Sequence, residues 1–252
     1  MTPSGPRTRW LAPIGAAALL VLSLVRGEGV FPAAAVDHPL AVAACLALGI
    51  VVARQETARR VLRHAVYESS PAVYHLALFV AAATGAAIVS VVVFGSLPRL
   101  DDGVAALFQA RIFATGRITL PLPQHAEFFE QFGVLGGRAG IGHWCGMYPP
   151  GWPALLALGV LAGAPWLVNP LLGGALVVAI AALGREVYGD RIGRIAGALA
   201  VASPITILLA ASHLSHTTTA LALAVCLWAL CRLLKTGASA YGAVAGLAFG
   251  VG

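Results

Sequence analysis

Charge is what this chain has least of. Only 10% of its 252 residues are Asp, Glu, Lys or Arg, while 59% are apolar, against about 25% charged in soluble domains. A soluble globular protein is thereby excluded, and an integral membrane protein remains. Lysine is nearly missing: fifteen of the sixteen cationic residues are Arg, and Lys235 is the exception. Those Arg residues stand singly or in short loop clusters without interleaved aromatics, so the net charge of +6 does not describe a nucleic-acid face. It is topological charge. Cysteine is sparse as well. Cys45, Cys226 and Cys231 fall in apolar runs and Cys145 stands alone among polar segments, which leaves neither a disulfide framework nor a CxxC metal site. No fixed-period repeat is present, and nothing is low-complexity beyond the Ala/Leu/Val bias of the apolar runs.

Those runs are what the chain does have. A helix needs about 20 apolar residues to cross about 30 Å of hydrocarbon. Six segments come close: about 10 to 26, 38 to 53, 72 to 97, 166 to 184, 192 to 212 and 217 to 234, with a seventh beginning near Tyr241. The first, with Arg7 and Arg9 before it, reads as an anchor; "PAAAVDH" keeps a removed signal peptide as the alternative. The segment 151 to 163 reaches only about 20 Å, and it is expected to be a partial or interfacial helix. If it does not cross, Arg7/Arg9, Arg54/Arg59/Arg60/Arg63, Arg185/Arg191/Arg194 and Arg232/Lys235 all fall on one side, as cytoplasmic loops require. The expectation is therefore an all-α, polytopic transmembrane helix bundle in the cytoplasmic membrane, its amino terminus cytoplasmic. Residues 1–71 would form a two-helix membrane hairpin with a cytoplasmic loop. Residues 72–252 would form the membrane core, with a long extracytoplasmic loop over 98–150.

Inside that loop, "DDGVAALFQARIFATG" places Val104, Leu107, Phe108 and Ile112 on one helix face and Gln109 and Arg111 on the other. Gly116 is a stop signal. A helix of this kind leaving a membrane span is expected in the interface plane. Beyond it, "FFEQFGVLGGRAGIGHWCGMYPPG" reads as a short hairpin or irregular loop returning to the bilayer. Two carboxylates, Asp101 and Asp102, open the helix. Either one caps its first turn, or one serves as a base or metal ligand for a lipid-linked substrate, and both can hold together.

"DDGVAALFQARIFATGRITLP" resembles the first outer loop of the GT-C membrane glycosyltransferases, the group of protein O-mannosyltransferases and aminoarabinose transferases. The matching positions are Asp101-Asp102, Ala110-Arg111, Gly116 and Pro121. "MYPPGWPALLALG" is similar to the proline-containing return segment of that group, and "PWLVNPLLGGALVVAIAALGREVYG" to the helix after it. The likeness covers roughly residues 72 to 235, the amino-terminal part of such an enzyme. It implies transfer of a sugar from a polyprenyl-phosphate donor to an acceptor hydroxyl on the extracytoplasmic face. Asp101 would be the base, with Asp102 at the helix start. Arg99, Arg117 and Arg138 would be the partners of the departing phosphate. The likeness fixes no cofactor, and a divalent metal is compatible with it. The implied partners are the lipid-linked donor and membrane lipid, with no nucleic acid and with the acceptor open.

Two departures stand out. Some relatives carry a Lys before the return proline, where this chain has Tyr148. A further acidic residue is common at the next outer turn, where this chain has "SHLSHTTT". His213 and His216, three apart, are expected to share a helix face there. They are polar residues settled at the interface, substrate-facing groups, or a metal pair lacking a third ligand. His125, Glu127, Glu130 and His143 read as solvated loop residues. The rival classes are a transporter or flippase, which would place ionisable residues mid-span, and a non-catalytic membrane subunit.

Overall fold

A computed structural model describes residues 68–129, 131–136 and 142–251. The expected spans at 10–26 and 38–53, together with Arg138 and Glu130, lie outside the described residues. From Ser70 onward the chain forms one compact unit, and it is mostly helical.

Helix α1, Pro71–Val92, starts where sequence rules place a start. Ser70 accepts the Val73 N–H at 3.4 Å and Pro71 occupies the first turn, where its missing N–H costs nothing. At 22 residues it spans about 33 Å. It stops short of residue 97 because Gly95 and Ser96 turn to φ +63° and +61°. Helix α2 follows over Asp101–Ala114, and Gly116, at φ +75°, lies just beyond its end.

The return loop is more ordered than the sequence suggests, and it departs from an all-α fold. Strands β1 (Leu120–Pro121), β2 (Val134–Leu135) and β3 (His143–Gly146) make a small antiparallel sheet in the order β1-β3-β2. Gln109 holds this sheet to α2. Its Oε1 accepts the Gly146 N–H at 2.7 Å and its Nε2 donates to the Ile118 carbonyl at 2.9 Å. Gln109 is therefore only 4% exposed, not on a water-facing side. One backbone group at the end of β3 and one in the segment leading to β1 find their partners in that side chain.

Helix α3, Gly151–Leu161, has 11 residues, about 16 Å, so it is too short to cross. The chain then folds back at Gly163, φ +74°. A Cβ at Gly159 would lie 2.3 Å from Val168 and 2.9 Å from Pro165, and only glycine permits that approach. Helix α4, Pro165–Tyr188, is the longest, with Pro170 inside it. The run 192–212 is not one span. It divides into α5 (Asp190–Ala202) and α6 (Pro204–Ala211), bent by 61°. Pro204 lacks an N–H and drives Ser203 out of the helical region to φ −77°, ψ 117°. Helix α7, His216–Thr236, ends at Gly237, φ +68°, and α8 covers Ser239–Val251.

By length and composition α1, α4 and α7 can cross a membrane, and the bent pair α5–α6 makes a fourth if taken as one span. Where they meet, small residues set the spacing, as between helices in lipid. A Cβ at Gly193 would sit 2.5 Å from the Ala181 carbonyl, at Gly197 2.6 Å from Leu78, and at Gly173 2.4 Å from Ala210.

The bundle has two chemically different ends. At one, Glu186 of α4 meets Lys235 at 3.0 Å and Arg232 at 3.6 Å, and Tyr74 Oη donates to the Arg194 carbonyl at 2.6 Å. At the other, Asn169 of α4 donates to the carbonyls of Leu209, Ser212 and Leu214, and Trp152 Nε1 donates to the His213 carbonyl at 3.0 Å. Gly103 of α2 abuts His213, so the loop region gathers at this second end.

Candidate functional site

The site grows from the first turn of α2. The N-cap is Leu100, which has no side chain able to cap, and Asp101 and Asp102 sit inside the first turn. Neither is the cap residue; both lie where the positive end of the helix dipole attracts negative charge. Asp102 Oδ1 accepts the hydroxyl of Tyr148 at 2.5 Å. Tyr148 is set there by the Pro149-Pro150 corner that leads into α3, and by Gly133. A Cβ at Gly133 would lie 2.8 Å from Ala105 and 3.0 Å from the Tyr148 ring. Because Asp102 takes its hydrogen bond and both carboxylates add negative charge nearby, the phenol is pushed up to about 12. It stays a donor at any working pH.

A small open pocket of about 90 Å³ lies beside this pair, lined among others by Asp102, Tyr148, Trp152, Ser215, His216 and Thr218. Its wall joins the first turns of three helices: Asp102 from α2, Trp152 from α3 and His216 with Thr218 from α7. Thr218 is 3% exposed, and its hydroxyl has no partner among the described residues. Buried polar groups ordinarily find one. Asp101 is exposed and does not line the pocket.

The two histidines do not share a helix face. His213 belongs to the loop 212–215 and is 4% exposed, whereas His216 opens α7 and reaches the pocket. The reason is tertiary. Three carbonyls around this loop are gathered by one Asn169 amide and a fourth by Trp152, which holds the chain out of helix until residue 216. Burial pushes the His213 imidazole below its ordinary value, keeping it neutral, and neither ring nitrogen has a partner among the described residues.

The arginines scatter. Arg99 lies just before α2, its Nε donating to the Phe94 carbonyl at 2.9 Å. Arg117 follows the other end of α2, about 20 Å along the axis from Asp101, and is not brought to the pocket. Arg138 lies outside the described residues. Trp152, Thr218 and Asn169 were not singled out by sequence reasoning. Asn169 did carry a signal, being a lone amide beside a proline in an apolar run.

Comparison of the chain with protein-family profiles, with curated proteins and with solved structures gives no match. The site itself must carry the functional reading. Among the described residues no three His, Cys, Asp or Glu side chains come together as metal ligands.

Proposed function

We propose that this chain is a membrane glycosyltransferase that moves a sugar from a polyprenyl-phosphate donor to an acceptor hydroxyl on the extracytoplasmic face. One observation carries the reading: Asp102 lines a small pocket, with the exposed Asp101 next to it in the first turn of α2, at the end of a bundle whose helices can cross a membrane. A lipid-linked donor has to be met there, because its chain stays in hydrocarbon while its sugar stays in water. Side is assigned by charge. Arg194, Arg232 and Lys235 lie at the opposite end, which the excess of cations marks as cytoplasmic.

In this reading the donor sugar occupies the pocket, held by Asp102, Tyr148 and His216. Asp101, solvent-exposed at the edge, takes the proton from the acceptor oxygen. The bond from sugar C1 to the phosphate oxygen breaks as the bond from C1 to the acceptor oxygen forms, through an oxocarbenium-like state. The phosphate leaves on the lipid with the bonding electron pair, and Arg99 is the nearest cation in sequence for it. Asp101 then returns its proton to water.

A transporter reading draws on the 61° break between α5 and α6, since broken helices line substrate sites. The described acidic residues count against it. Glu186 and Asp190 lie at helix ends, not mid-span where ion coupling needs them.

The test is transfer by the full-length protein reconstituted with a polyprenyl-phosphate sugar. Asp101→Asn is expected to lower the rate about a hundredfold or more with folding intact, and Asp102→Asn to leave a measurable fraction. Transfer by Asp101→Asn at the unmodified rate would remove the catalytic assignment.

A further inference from the structure

The loop region carries its own apolar surface, and that surface is not the one amphipathic reasoning selects. Helix α2 is packed on protein: Ala105, Ala106, Leu107, Gln109, Ala110 and Ile112 are all buried, against α3 on one side and β3 on the other. It has little apolar face left for lipid. Phe128, Phe129 and Phe132, by contrast, are 78%, 52% and 63% exposed, with Ile118 and Met147 exposed nearby in the same lobe. Given the size of a Phe side chain, these three leave on the order of 400 Å² uncovered, as much as the largest patch of a typical soluble monomer.

This rim is built on a backing. Trp144 of β3 packs against Phe108 of α2 in a tilted pair, 4.8 Å between ring centroids, and Phe129 meets Trp144 edge-on at 6.2 Å. The Met147 N–H donates to the Gly133 carbonyl at 2.9 Å, tying the segment of Phe132 to that of Met147. All three rings keep more than half of their surface exposed, with Phe129 against Trp144 and Phe128 beside His125 at 6.2 Å between ring centroids.

We infer that this aromatic rim is a membrane-seating surface, placing Phe128, Phe129 and Phe132 at the boundary between lipid headgroups and acyl chains. Two observations choose lipid as the occupant. The lobe is continuous with helices that can cross a bilayer, since the chain enters it from α1 and leaves it through α3 into α4, so a membrane surface is always within reach. Charge in the same lobe also suits a phosphate headgroup: Arg111 and Arg117 are exposed, and the acidic Glu127 lies 3.4 Å from His125 Nδ1. Phe rings gain by leaving water for that boundary, and neighbouring cations add attraction to anionic lipid. The inference needs only that the bundle crosses a membrane. It stands or falls independently of sugar transfer.

The experiment uses the full chain, with its four cysteines replaced, in vesicles of phosphatidylglycerol and phosphatidylcholine. A small fluorophore is attached to Phe128→Cys, Phe132→Cys or His143→Cys. His143 is exposed on β3 and points to the face opposite Trp144. At positions 128 and 132, brominated acyl chains are expected to quench more strongly than aqueous iodide, by about twofold or more, with the order reversed at 143. Quenching at 128 and 132 by iodide alone would show a water-facing rim. Quenching there by neither agent would show protein covering it. Either result overturns the inference.

Discussion

Tyr148 Oη lies 2.5 Å from Asp102 Oδ1, a hydrogen bond between side chains 46 residues apart that fastens the start of α3 to the start of α2. It keeps a proton that is hard to remove beside the Asp102 carboxylate.

That bond has a spectroscopic signature. Tyr148 is expected to ionise near pH 12, and in Asp102→Asn its ionisation should fall back toward the ordinary tyrosine range near 10. The sign follows from linkage. A group whose pKa is raised on folding contributes stability that is fully present below its unfolded value and is lost as pH rises through the folded one. The contact should therefore weaken only between about pH 10 and 12. Ultraviolet difference titration of the wild type against Tyr148→Phe isolates this residue, and an unchanged profile in Asp102→Asn would refute the coupling.

Gly133 should not accept a side chain. At φ +80° a non-glycine residue costs about 1–2 kcal/mol, and its Cβ would overlap Ala105 and the Tyr148 ring. Gly133→Ala is expected to lower the midpoint of thermal unfolding in detergent and also to shift Tyr148 ionisation downward. Gly116→Ala has a positive φ but open space around it, so it should lower the midpoint alone.

Asn169 offers two amide hydrogens to three carbonyls, at 3.1, 2.7 and 3.0 Å. Asn169→Leu strands those acceptors in a buried place, at a cost of about 1–3 kcal/mol. Asn169→Asp should be worse, because a carboxylate would face carbonyl oxygens. Thermal unfolding ranks the two, and hydrogen exchange should report the loosening at residues 212–216. Equal stability of both variants with the wild type would contradict the clasp.

Sidedness is measured with cysteine labelling in right-side-out vesicles, on a background free of native cysteines. Arg117→Cys should react with an impermeant reagent from outside. Ala238→Cys, at the end holding Lys235 and Arg232, should react only after permeabilisation. The opposite pattern would invert the topology.

By itself the sequence determined the membrane character of the chain and the presence of α1, α4 and α7, because a long apolar run in a charge-poor chain is a local property that hydrocarbon thickness alone converts into a helix; the end of α1 at Val92 it did not determine. It also announced α2, the stop at Gly116 and the shortness of α3, since turn glycines and helix length are local too. Only tertiary structure decided the rest. Gln109 was legible as a polar residue on a helix, but its burial depends on the return loop, whose Gly146 N–H and Ile118 carbonyl it bonds. His213 and His216 were legible as a spacing of three, but their separation depends on Asn169 and Trp152, far away in the chain, holding the loop open. Asp102 meets Tyr148 for the same reason. Contacts between distant residues are set by how helices pack, through glycines that allow close approach, and no local pattern encodes which distant partner a side chain finds.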